Sequence, residues 1–245
     1  MGERLTGEVA LVTGAAGGIG GAIVRRFEAE GCRVIAVDRA KPVDGTLMLV
    51  QDLGDDRAFD AIAQATQSAR LSPTIVVHAA AIGDGCPTLS TTPEFLAEMF
   101  RVNVGAALRL AQLFAPAMQA CGRGNFLFVS SINSTFATPG LAAYAASKAA
   151  LDSLARTLAL EFAPDGIRVN TLRPASVDTP LLRRGFDAAA DPVAARAANI
   201  GRHPLGRLGA PDDIASLALF LCSNEAEWIT GVDYLIDGGA ATTRR

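Results

Sequence analysis

Tyr144 and Lys148 lie four residues apart in the run YAASK. Positions so spaced share one face of a helix, which would place a phenol beside an ammonium. A nearby positive charge favours phenolate, and such a tyrosine can pass a proton to or from a substrate oxygen near neutral pH. In an ordinary helix the same pair is a half-buried ring and a solvated charge. What points to chemistry is the company it keeps. Ser131 closes the apolar run FLFVSS thirteen residues before the tyrosine, where a hydroxyl can hold the oxygen that Tyr144 protonates. Asn103, in RVNVGA, falls where a helical stretch is broken, which suits a side chain and carbonyl that organise water near the lysine.

A second cluster could hold a dinucleotide. VTGAAGGIGGA follows an apolar run and opens a helical pattern, with glycines spaced Gly14-x-x-x-Gly18-x-Gly20. Glycines let the backbone turn tightly against a pyrophosphate, and a helix N-terminus offers free N–H groups and partial positive charge. The pattern gains weight from its context of strand, turn, helix and then a strand ending in an acid. That acid is Asp38, eighteen positions after Gly20. Its carboxylate can accept hydrogen bonds from adenosine ribose hydroxyls and would repel a 2′-phosphate, which favours NAD over NADP. Arg39 follows, however, and a guanidinium can accept that phosphate. Asp52 and Leu53, after the apolar run Leu47 to Val50, could meet the edge and face of an adenine, or Asp52 could cap the next helix.

These residues need elements to position them. Strands are expected at EVALVTG, CRVIAVD, PTIVVHAAA, NFLFVSS, GIRVNTL and DYLIDGG, and helices at 18–30, 55–69, 92–121 (two pieces broken near Asn103), 141–163 and 211–223. Continuous Val/Ile/Leu strands alternating with helices imply a parallel sheet covered on both faces, with ligands at the carboxyl ends of the strands. Residues 176–209 break the rhythm with Pro180, Pro192 and Pro204 and only short helical patches. A long connection of that kind reads as a substrate lid.

The 245 residues, 50% hydrophobic and 19% charged, suit one globular domain spanning 1–245. A net charge of −3 without a basic stripe argues against nucleic acid as a partner. Cys32, Cys86, Cys121 and Cys222 form no C-x-x-C pair and read as separate thiols, and two histidines, His78 and His203, suggest no metal site. The longest uncharged stretch, 124–147, contains Asn, Ser, Thr and Pro, so no membrane span is expected and a cytoplasmic location is.

Together, TGAAGGIG, RVNVG, FVSS…YAASK, IRVNTLRPASVDTP and ITGVDYLIDGG resemble the short-chain dehydrogenase/reductase family, over roughly 5–239. The resemblance implies a Rossmann-type, doubly wound α/β sheet of order 3-2-1-4-5-6-7 and nicotinamide-dependent hydride transfer between a secondary alcohol and a ketone. It implies Tyr144 as general acid/base, Ser131 as the group orienting the substrate oxygen, Lys148 as the residue that lowers the tyrosine pKa and holds the nicotinamide ribose, and Asn103 as anchor of a water relay. Gly14, Gly18, Ile19 and Gly20 would line the dinucleotide with Ala80, Asp38 would bind its ribose, and Pro174, Val177 and Thr179 would face the nicotinamide. Two positions depart from the family pattern. His78-Ala79-Ala80-Ala81 replaces Asn-Asn-Ala-Gly, losing an asparagine that braces neighbouring strands, and Ala175 replaces a glycine, where a methyl would narrow the nicotinamide pocket.

The substrate is less legible. Asn133, Ser134, Ser176 and the lid are candidate pocket residues, and Asn133 leans toward a sugar, polyol or cyclic diol unless it faces solvent. PLGRLGAPDDIA also resembles 3-oxoacyl-thioester reductases, the alternative enzyme reading. A nucleotide-sensing binding module is the non-enzyme alternative. The resemblance further implies a homotetramer or homodimer, with contacts through 92–121 and 141–163 and through 211–223 and 234–237. Leu151, Leu154, Leu158 and Phe162 could serve that interface or the core.

Overall fold

A computed structural model describes residues 3–243. Seven strands form one parallel sheet: β1 (Val9–Thr13), β2 (Arg33–Asp38), β3 (Leu47–Val50), β4 (Ile75–His78), β5 (Gly124–Val129), β6 (Ile167–Pro174) and β7 (Asp233–Ile236). Their spatial order is β3-β2-β1-β4-β5-β6-β7, as the family resemblance implies. Between them run α1 (Gly18–Ala29), α2 (Arg57–Ser68), α3 (Pro93–Phe100), α4 (Ala106–Cys121), α5 (Ala142–Phe162), α6 (Pro180–Asp187), α7 (Pro192–Ile200), α8 (Pro211–Cys222) and α9 (Ala240–Thr243). The result is a single α/β domain.

The alternation of side chains along each strand divides the core in two. Val9 and Leu11 of β1 join Ile35 and Val37 of β2 in a cluster covered by α2, α4 and α5. Ala10 and Val12 join Val34 and Ala36 in a second cluster under α1 and α8. Both faces of the central strands are thus dry, which is why these strands read as unbroken apolar runs.

Leu151 and Leu158 of α5 lie in the first cluster, with Leu154 and Phe162 packed against it. The apolar face considered for an interface therefore belongs largely to the core, and the exposed leucine of α5 is Leu160, at 80%. β3 was seen in the sequence only as an apolar run. It is an edge strand that pairs with β2 alone, and Met48 and Val50 stay exposed. The connection 176–209 is more ordered than expected: Thr179 caps α6 by accepting from Leu182 N, and Asp191 caps α7 by accepting from Ala194 N. Among the described residues no helix is long and apolar enough to cross a membrane, and all four cysteines are free thiols.

The turn from β1 into α1 depends on missing side chains. Gly14 has φ +68°, and a Cβ there would lie 2.7 Å from the backbone of Ala79 and Ala80 beyond β4. A Cβ on Gly20 would lie 2.1 Å from the Gly14 carbonyl oxygen. Gly20→Ala should therefore lower the thermal midpoint by several degrees, from about 1–3 kcal/mol of overpacking. Calorimetry checks this, and an unchanged midpoint would show that the turn relaxes freely.

Candidate active site

The chain leaves β5 through Ser130, whose N–H donates to Leu172 O, and enters a short 3₁₀ turn, Ile132–Ser134. Ser131 heads this turn and its Oγ accepts from Asn133 N at 3.1 Å. The chain then returns as α5, whose first turn carries Tyr144. Lys148 follows one turn later, 1% exposed, with Nζ donating to Val129 O at 2.7 Å. That nitrogen lies 5.7 Å from the centre of the Tyr144 ring. The carboxyl end of β5 thus gathers serine, tyrosine and lysine, as the sequence suggested.

Burial sets the electrostatics here. It raises the Tyr144 pKa above 10, and the Ser131 hydroxyl, which hydrogen-bonds the phenol, works against it. It lowers the Lys148 pKa to about 8, opposed by the charge of Asp152. The expectation that Lys148 would pull the phenol below its usual range is not met. Desolvation of the ring outweighs other effects, and the ammonium is engaged with a carbonyl.

Asn103 sits in a five-residue π-helical turn, Arg101–Gly105, between α3 and α4. Such turns offer backbone and side-chain groups that a regular helix would consume. Its Oδ1 accepts from Ile82 N at 2.8 Å, while Nδ2 donates to Ile82 O at 3.0 Å and to Ser147 Oγ at 2.9 Å. Ser147 Oγ in turn donates to Tyr144 O. Asn103 therefore pins the loop after β4 to the helical turn that bears the tyrosine and lysine. Both amide hydrogens are spent, so a water near the lysine would have to use a lone pair of Oδ1 or the backbone carbonyl.

His78 supplies the bracing that the missing asparagine implied would be lost. Fully buried, it accepts through Nδ1 from Thr13 Oγ1 at 2.9 Å and donates through Nε2 to Val102 O at 3.2 Å. That tautomer is the one that suits a carbonyl acceptor at Nε2. Thr13 Oγ1 also accepts from Ala80 N, so the chain Ala80–Thr13–His78–Val102 ties β1, β4 and the π-turn together. Burial, aided by the charge of Lys148, drops the His78 pKa to about 3.

The glycine turn opens toward the same edge. Gly18 stands so close to Thr179 that a Cβ would lie 2.6 Å from its methyl group. Asp38 accepts from Ala16 N and Ala40 N, each at 3.0 Å, which fixes the carboxylate at the mouth of the turn. Pro174 and Val177 are buried, Val177 bridging Gly209, and half-buried Ile19 packs on the second core cluster. Asp52 is exposed and its Oδ1 accepts from Gly54 N at 2.9 Å, a local turn that ends before α2 begins. Leu53 is buried in the core, so packing already claims the side chain suggested for an adenine face.

Of the substrate candidates, Asn133 turns its Oδ1 to Thr138 Oγ1 rather than to solvent. Ser134 Oγ is buried with no hydrogen-bond partner among the described residues. Ser176 and Ala175 line a cavity of about 260 Å³ between the ends of β6 and β7 and the start of α8, which Ser131, Tyr144 and Lys148 do not border. Sequence reasoning missed Gly83, where a Cβ would lie 3.9 Å from Cε2 of Tyr144 and 3.0 Å from Leu181. The loop after β4 thus meets α6 beside the tyrosine. It also missed Ser147 and Asp152, though both stand in or one turn beyond YAASK.

A family model described as enoyl-(acyl carrier protein) reductase matches residues 14–241. The chain is 35% identical to a 2,5-dichloro-2,5-cyclohexadiene-1,4-diol dehydrogenase of Sphingobium indicum, covering 98% of each chain. Its fold superposes on ligand-free aldohexose dehydrogenase of Thermoplasma acidophilum with a TM-score of 0.92 at 29% identity, covering 99% and 97% of the two chains. A third similar chain, described as an NAD(P)-dependent gluconate 5-dehydrogenase of Beutenbergia cavernae with bound NADP, gives 0.91 at 31% identity, covering 99% and 100%.

The depressed His78 pKa has a consequence for stability. Below pH 6.5 the unfolded chain protonates this histidine and the folded chain does not, so its contribution is intact above 6.5 and is lost as pH falls toward 3. The slope is about 1.4 kcal/mol per pH unit. His78→Asn should be less stable than the parent at pH 7.5, with the gap narrowing at pH 5.5 and 4.5. Urea midpoints at the three pH values would show this, and a constant gap would mean that His78 does not carry the effect.

Proposed function

This chain is an oxidoreductase of the short-chain dehydrogenase/reductase family, and we propose that it interconverts a secondary alcohol and its ketone with NAD(H), using Ser131, Tyr144, Lys148 and Asn103. The observation that carries the reading is the convergence of Ser131, Tyr144 and Lys148 at the end of β5, on the same sheet edge as the side-chain-free turn at Gly14, Gly18 and Gly20. The glycines let this turn close tightly ahead of the α1 N-terminus, whose free N–H groups suit a pyrophosphate, so the residues present fit a dinucleotide. Ile19, Ala80, Pro174, Val177 and Thr179 would complete its lining, and Asp52 would meet the adenine edge.

The nicotinamide supplies or accepts the hydride. Tyr144 passes the proton at the substrate oxygen, and Ser131 donates a hydrogen bond to that oxygen. Burial keeps the phenol protonated, the form that can donate to the oxygen in ketone reduction. In the oxidation direction the ammonium of Lys148 offsets the cost of phenolate. Asn103 holds the loop and helix in register and offers the remaining oxygen for a relayed water.

Asp38 favours NAD, since its fixed carboxylate would face and repel a 2′-phosphate, while Arg39 is exposed. We infer a hydroxylated small molecule as substrate. Two polar residues support this, Asn133 and Ser134, both on the turn that Ser131 heads. The dehydrogenases named above for a cyclic diol, an aldohexose and gluconate point the same way. The 3-oxoacyl-thioester reductase reading draws support from a 3-oxoacyl-[acyl-carrier-protein] reductase of Thermotoga maritima, 32% identical over 96% of this chain and 98% of that protein. The segment 176–209 would close over the substrate, and Leu108, Leu160 and Leu235 leave apolar surface for a homotetramer or homodimer.

Tyr144→Phe should lower kcat about 10²–10⁴-fold while NADH affinity, read by fluorescence, stays within a few-fold. Retained activity would sink the mechanism. With a panel of polyols, sugars, cyclic diols and β-hydroxyacyl compounds, kcat/KM for NAD should exceed that for NADP by at least about tenfold. An NADP preference would refute the role of Asp38, and turnover confined to acyl compounds would favour the alternative reading.

A further inference from the structure

Lys148 is one of only two lysines in the chain, the other being Lys41. One helical turn beyond it on α5 lies Asp152, also 1% exposed. Arg173, from the neighbouring strand β6, grips one oxygen of that carboxylate. Its Nε and Nη2 approach Asp152 Oδ2 at 2.9 and 2.8 Å, and Nη2 reaches on to Asp233 Oδ2 of β7 at 2.7 Å. Arg156 of α5 closes the far side of the network on Asp233. The other oxygen, Asp152 Oδ1, is buried and has no hydrogen-bond partner among the described residues. A buried carboxylate with half its acceptor capacity unused is costly unless a nearby charge compensates it.

We propose that Asp152 is a positioning residue for Lys148: its buried carboxylate, clamped by Arg173, is the counter-charge that keeps the buried ammonium protonated at neutral pH. The proposal rests on the role given above to Lys148. Burial opposes that charge and Asp152 supports it. Other ionisable groups around α5 do not offer the same support. Tyr144 and His78 are neutral near pH 7, held there by burial. Glu94 and Glu98 of α3, Arg101 of the π-turn and Arg109 of α4 are exposed, and Arg168 of β6 is bound to the carbonyls of Leu221 and Ile229. Arg173 itself adds positive charge, so Asp152 must serve two cations at once.

The test needs no substrate. With ¹³Cε-labelled lysine the full chain shows two titrating signals, and Lys41→Arg assigns them. The parent Lys148 should titrate near pH 8. In Asp152→Asn it should titrate at least one pH unit lower, a tenfold loss of proton affinity. Arg173→Met should move it the opposite way, above the parent value, because a repelling charge and a competitor for Asp152 are both removed. An unmoved Lys148 signal in a folded Asp152→Asn protein overturns the proposal. Where that variant does not fold, an unmoved or lowered signal in Arg173→Met does so. Once a substrate is known, kcat/KM of Asp152→Asn should fall less than about twofold at pH 6 and about fivefold or more at pH 8, whereas a purely structural defect would lower it equally across pH. The titration reads Asp152 even if the reaction proves to be another, so the two readings fail separately.

Discussion

The site depends on one unfavourable placement, a lysine ammonium where almost no water reaches it. Charge transferred from water to a protein interior costs several kcal/mol unless it is paired and hydrogen-bonded. The surrounding architecture answers that cost. The strand end of β5 offers the Val129 carbonyl, the helix offers Asp152 one turn on, and β6 brings Arg173 to fix that carboxylate. The same dryness that makes the ammonium costly raises the phenol beside it and removes the proton from His78. One low-dielectric pocket thus separates three titratable groups into distinct states.

Holding the pocket together is a set of short polar links across elements far apart in the chain. Asn103 connects the π-turn, the loop at Ile82 and Ser147 of α5. His78 connects the ends of β1 and β4 to the same π-turn. The loop with Gly83 then lies against Tyr144 and Leu181, so that a Cβ there would touch the tyrosine ring and press on the leucine. These links sit at the carboxyl edge of the sheet, where parallel strands end and their backbone groups pass to loops. Ligand sites of doubly wound sheets occupy that edge for the same reason.

Much of this was visible in the residues alone. The strands β1, β2, β4 and β5 are dry on both faces along most of their length and so read as apolar runs, and the helix break at Asn103 showed as a shift in pattern. The chemistry-bearing residues were visible because Ser131, Tyr144 and Lys148 are spaced by a strand end and a helical turn, which are local geometries. β3 was less plain, since an edge strand with alternate residues in solvent lacks that signature. The apolar stripe of α5 could have faced a partner or the core, and only packing assigns Leu151 and Leu158 to the core.

The sequence by itself therefore determined the strands, the glycine turn and the grouping of Ser131, Tyr144 and Lys148, because each follows from periodicity or spacing within one or two elements. Tertiary structure alone decided what those groups experience. It made His78 a substitute brace, clamped Asp152 with Arg173 one helical turn from Lys148, turned Ser176 and Ala175 toward a separate cavity, and left the tyrosine pKa raised rather than lowered. Desolvation and charge pairing depend on neighbours from other strands and helices. A spacing within one helix therefore cannot report them.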